Sequence, residues 1–68
     1  MKVQIKYVKF VYMFGRQIAM GQMHDMEGKV LLDGSVAQML TMIRAEGYEL
    51  VNAQEVLEIL VIKGGFAA

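Results

Sequence analysis

The sequence predicts an α+β domain, a small antiparallel sheet of three or four strands with one amphipathic helix packed on one face. Three observations carry this. Lys2 to Phe14 is rich in Val, Ile, Tyr and Phe, the residues that suit a pleated, half-buried surface. Val36, Met39, Leu40 and Ile43 recur at the i, i+3, i+4, i+7 spacing of one helix face. Between helix and strand lies Ala45-Glu46-Gly47-Tyr48-Glu49-Leu50-Val51, a hinge where a glycine ends the helix and an apolar strand begins.

In the first strand the alternation changes phase. Val3, Ile5 and Tyr7 share one face, whereas Val8, Phe10, Tyr12 and Phe14 share the other. Either both faces are covered, or a bulge near Tyr7 re-aims the strand. Gly15 and Arg16 then turn the chain into a shorter strand, about Gln17 to Met23. His24 to Gly28 is polar and turn-like, and Lys29 to Leu32 adds a brief extended piece.

Asp33 is the expected N-cap, since its carboxylate accepts from first-turn amides and suits the positive end of the helix dipole. The helix runs from Gly34 to Glu46, with Gln38, Thr41 and Arg44 turned outward. Gly47 stands where a left-handed C-terminal cap would penalise a Cβ. Tyr48 to Gln54 reads as a strand, with turn residues from Asn52 to Glu55. Val56 to Lys63, apolar on nearly both sides, reads as a closing strand that is either central in the sheet or sandwiched between the helix and another subunit. A flexible tail from Gly64 to Ala68, with Phe66 as an anchor, completes a single domain spanning 1–68.

Composition points to assembly. A chain of 68 residues has only a marginal core, yet 56% of it is hydrophobic and its mean hydropathy is +0.38. Disulfides are excluded, because there is no cysteine, and His24 is the one nitrogen ligand for a structural metal. Oligomerisation is the remaining staple, so the expected partner is a second copy of the chain, together with a larger protein that this one serves as accessory subunit or regulator. Apolar runs such as Ile59 to Ile62 fall far short of the roughly 18 to 20 residues of a membrane span. Lys2, Lys6 and Lys9 interrupt the apolar stretch a secretory signal needs, and a cytoplasmic location is expected.

The residues from Met39 to Val51, with the A-E-G-Y-E-L-V segment, and the L-E-I-L-V-I-K run from Leu57 to Lys63 resemble the bacterial "domain of unknown function 4177" family. There a strand and an amphipathic helix precede a segment like A-E-G-W-E-L-V and a closing strand. The resemblance implies a fold and no catalytic residues.

Charge is balanced overall, seven basic against seven acidic side chains, but Lys2, Lys6, Lys9 and Arg16 occupy the N-terminal part without an acid. A basic strand pairing with acidic segments explains this better than a nucleic-acid surface, which is usually basic over the whole domain. His24, Asp25 and Glu27 form the one cluster of ligand types, and a single histidine without a second nitrogen or sulfur ligand makes a weak metal site. Ser35 lacks the flanks of a nucleophile elbow, and the glycines make no phosphate-binding spacing. The expectation is therefore a non-catalytic interaction or scaffold module with no cofactor. Its surface is expected around Lys6, Lys9, Phe10, Tyr12, Phe14, Arg16, Met20 and Met23, where aromatics stand among basic residues and methionines supply adaptable contacts. The alternative is a small-ligand or nucleic-acid binder that uses the basic first strand or a cleft between subunits.

Overall fold

The computed structural model describes residues 1–62 and shows an α+β domain. Its elements are β1 (Lys2–Met13), β2 (Arg16–Asp25), β3 (Val30–Ser35), α1 (Val36–Glu46), β4 (Glu49–Leu50) and α2 (Ala53–Ile62). The strands form one mixed sheet in the order β3-β2-β1-β4.

β1 and β2 form a long antiparallel hairpin closed by Phe14 and Gly15, at φ 53° and 76°. Two successive left-handed residues are the signature of a type I′ turn, whose twist matches that of the strands it joins. The hairpin sets the long axis of a molecule measuring 34 × 20 × 20 Å. The phase change in β1 is a bulge: pairing passes from Lys6↔Gln22 to Lys9↔Met20, so Tyr7 and Val8 together oppose Gly21. Tyr7 takes up the extra length at φ 59°. Gly21 suits this position, because a Cβ would sit a tight 3.1 Å from the Lys6 carbonyl oxygen and the backbone would have to give by a few tenths of an ångström.

With the bulge in place, Val3 and Ile5 before it and Val8 and Phe10 after it all contribute to the core. Both helices cover this face. Val36 and Met39 from α1, and Val56 and Leu60 from α2, close over Val3, Ile5 and Met23. Each such side chain gains about 1.5 to 3 kcal/mol by leaving water.

α1 starts at Ser35, whose hydroxyl accepts from the Gln38 amide while the Gln38 side chain accepts from the Ser35 amide. The expected N-cap, Asp33, instead lies in β3. The capping box outcompetes it because it satisfies two orphan donors at once. Gly47 ends the helix at φ 71°, as expected, and its amide donates to Ile43 O.

The second half departs from the expected antiparallel sheet and closing strand. α1, with eleven residues, is about 16 Å long, enough to carry the chain back across the sheet. β4 therefore runs parallel to β1, with Glu49 N donating to Met1 O and Val51 N to Val3 O. The expected strand of Tyr48 to Gln54 is only two residues long, because Asn52 ends it. The Asn52 side chain accepts from Ile5 N at 3.1 Å and donates to Ile5 O at 2.8 Å.

Val56 to Ile62 is helical, a correction to the closing strand, and Lys63 with the expected tail lies outside the described residues. After Asn52 the chain leaves the sheet edge, so the run satisfies its own backbone as a helix and buries Val56 and Leu60 one turn apart.

Candidate interaction face

Cross-strand partners share a face, so the pairing fixes what the sheet presents on the side away from the helices. That side carries the rows Gln4-His24-Val30, Lys6-Gln22-Asp33, Lys9-Met20-Ser35 and Val11-Ile18. Among the described residues no helix covers it. A shallow concavity of about 420 Å³ lies here, walled by Tyr7, Lys9, Val11, Met20 and Asp33.

A polar chain crosses this face. Gln22 Nε2 donates to Asp33 Oδ2 at 2.9 Å, and Gln22 Oε1 lies 3.0 Å from His24 Nε2. An ionised carboxylate only accepts, so Asp33 fixes which way the Gln22 amide points. Gln22 must then present oxygen to His24, and the His24 ring donates through Nε2, which leaves Nδ1 as the acceptor in the neutral ring. His24 is only 7% exposed, and the Tyr7 ring lies over it with centroids 5.8 Å apart and planes tilted by 58°. The left-handed bulge residue is what turns Tyr7 toward this side while Val8 enters the core.

The expected surface residues separate by face. Lys6, Lys9 and Met20 stand on the uncovered side. Phe10 lies half-buried against the core, and Met23 is fully buried beneath the helices, so neither belongs to that face. Tyr12, Phe14 and Arg16 sit at the end of the hairpin, where Tyr12 is 76% and Phe14 92% exposed. The hairpin runs on past the reach of both β3 and β4, since β3 pairs β2 only from Met20 to His24 and β4 pairs β1 only at Lys2 and Val3.

The H-D-x-E residues do separate work. Asp25 Oδ1 accepts from the amides of Glu27 and Lys29, both at 2.9 Å, and so organises the turn between β2 and β3. His24 faces Gln22 instead, and Glu27 is exposed. Sequence reasoning missed Gln22 and Asp33 as members of this face, because the cross-strand register that joins them has no local signature.

No helix among the described residues is long and apolar enough to cross a membrane. No family model, no curated protein and no solved structure matches the chain.

Proposed function

We propose that the protein is a non-catalytic interaction module that assembles with itself and serves as an accessory subunit or regulator of a larger protein. The observation that carries this reading is the hairpin end. Phe14 occupies a left-handed turn position that favours Asn, Asp or Gly, and its ring is almost wholly in water. Local structure gains nothing from a phenylalanine there, and residues that break a local rule concentrate at functional sites. Tyr12, Met13, Leu57, Val61 and Ile62 add further exposed apolar surface. The reading includes a cytoplasmic location, with which a chain lacking cysteine agrees.

Light scattering at micromolar concentration tests the assembly. A homo-oligomer is expected, and a monodisperse monomer overturns self-association. Pull-down with the tagged chain before and after Phe14→Ser tests the larger partner, whose capture is expected to depend on the ring.

A second reading has its own observation: Lys9 and the Tyr7 ring line the shallow concavity, Lys6 stands on the same face of the sheet, and together they would suit an anionic ligand with a stacking base. Salt-sensitive retention on single-stranded nucleic acid, lost when Lys6 and Lys9 become glutamate, would favour it. No retention at low salt discards it.

A further inference from the structure

We infer that the free edge of β1 between the bulge and the turn, Lys9 to Met13, is a self-pairing strand that joins two copies of the chain into one continuous sheet. The inference rests on the self-assembly proposed above and names its surface.

The direction of the backbone groups follows from the hairpin. In a two-residue type I′ hairpin the flanking pair, here Met13↔Arg16, is hydrogen-bonded, and antiparallel pairs alternate from there. Val11↔Ile18 and Lys9↔Met20 are thus bonded within the hairpin. Phe10 and Tyr12 point their amides and carbonyls away from β2. Before the bulge the outward residues are Val3 and Ile5, and both are used: Val3 O by Val51 N, and Ile5 by the Asn52 amide. The extra residue at Tyr7 switches the parity. Past it, the outward groups of Phe10 and Tyr12 have no strand beside them among the described residues. An edge of this kind, long, apolar and without proline, templates another strand.

A second copy fits better than an unrelated peptide because the segment is self-complementary about its own centre. The bulge limits it at one end and the turn at the other, so the midpoint is Val11. An antiparallel pair on that two-fold axis sets Val11 against the partner's Val11 and Phe10 against the partner's Tyr12. It sets Lys9 against the partner's Met13. Phe10 and Tyr12 lie on one face and would stack as aromatic cross-strand pairs. The Lys9 stem would lie along a thioether, with its ammonium still in water. No like charges meet. A single added peptide strand would bury the edge but leave the exposed side chains at the hairpin end uncovered.

Cysteine pairing tests the register, and the chain has no native cysteine to confuse it. At a non-hydrogen-bonded antiparallel pair the Cα atoms are about 4.5 Å apart, inside the roughly 4.4 to 6.8 Å range that disulfides span. Val11→Cys is expected to cross-link nearly completely on mild oxidation. Ala37→Cys, on the exposed side of α1, is expected to stay monomeric on a denaturing gel. Tyr12→Lys, at a position the monomer barely packs, is expected to raise the dimer dissociation constant at least tenfold in sedimentation equilibrium while leaving the circular dichroism spectrum unchanged. If the native chain is an oligomer, yet Val11→Cys does not cross-link and Tyr12→Lys has no effect, the β1 pairing is wrong and self-assembly stands on another surface. If the native chain is a monomer at high micromolar concentration, both fail.

Discussion

Asn52 completes for Ile5 the ladder that β4 leaves unfinished. β4 pairs with β1 through Met1 and Val3, and at the next outward residue the side-chain amide of Asn52 replaces a peptide group, bonding Ile5 N and O together. The same residue supplies the carbonyl that accepts the first bond of α2, from Val56 N. One side chain thus joins the sheet edge to the helix that covers it. Asn52→Ala is expected to cost about 2 kcal/mol, since it strands two part-buried backbone groups. Asn52→Asp is expected to do no better near neutral pH, because a second carboxylate oxygen would face the Ile5 carbonyl. Urea denaturation decides this, and a loss below about 0.5 kcal/mol for the alanine variant would sink the account.

Tyr7 holds a left-handed conformation that a side chain disfavours by about 1 to 2 kcal/mol. Glycine relieves that strain and alanine does not. Tyr7→Gly is therefore expected to be more stable than Tyr7→Ala by about 1 kcal/mol, although both lose the ring over His24. Equal stabilities in chemical denaturation would mean that the bulge relaxes once the ring is gone.

At the turn, Phe14→Asn is expected to raise monomer stability by about 0.5 kcal/mol, because asparagine suits the first position of a type I′ turn. The same change is expected to weaken self-association. Thermal melts at low concentration and light scattering at high concentration separate the two effects. A variant that is both more stable and equally associated would show that the ring has no part in assembly.

The orientation of His24 depends on Asp33 through Gln22. In the neutral ring, nitrogen-15 shifts are expected to report protonated Nε2 and bare Nδ1. Asp33→Ala frees the Gln22 amide to flip and is expected to move the ring toward a mixture of tautomers. A native ring protonated at Nδ1 would contradict the assigned chain of bonds.

Much of the first half was readable residue by residue. The phase change between Tyr7 and Val8 allowed either two covered faces or a bulge, because strand period is strict and a single slip swaps faces, and the pairing with β2 chose the bulge. The spacing of Val36, Met39, Leu40 and Ile43 located α1, and Gly47 marked its end. Val56 to Ile62 misled because β-branched, apolar residues satisfy a strand and a helix equally, and a short apolar run carries no decisive period. The signal that separated them was present: Asn52 and Glu55 stand three apart, as at a helix start, and so do Ser35 and Gln38. Of the expected surface residues, Met23 and Phe10 went to the covered face because alternation assigns residues to two sides without saying which side the helices take.

The amino-acid sequence by itself determined the α+β class, the change of phase in β1, the first helix with its glycine cap, and the excess of apolar residues over what one small core can hold. These are properties of neighbouring residues, set by dihedral preference and periodicity. Only the tertiary structure decided that β4 lies parallel to β1, that the final apolar run coils, and that His24, Gln22 and Asp33 form one chain across the uncovered face. Those outcomes depend on which strand edge remains free once α1 has crossed the sheet. That competition for backbone partners is settled between segments some fifty residues apart, as Asn52 and Ile5 show, where no local pattern reaches.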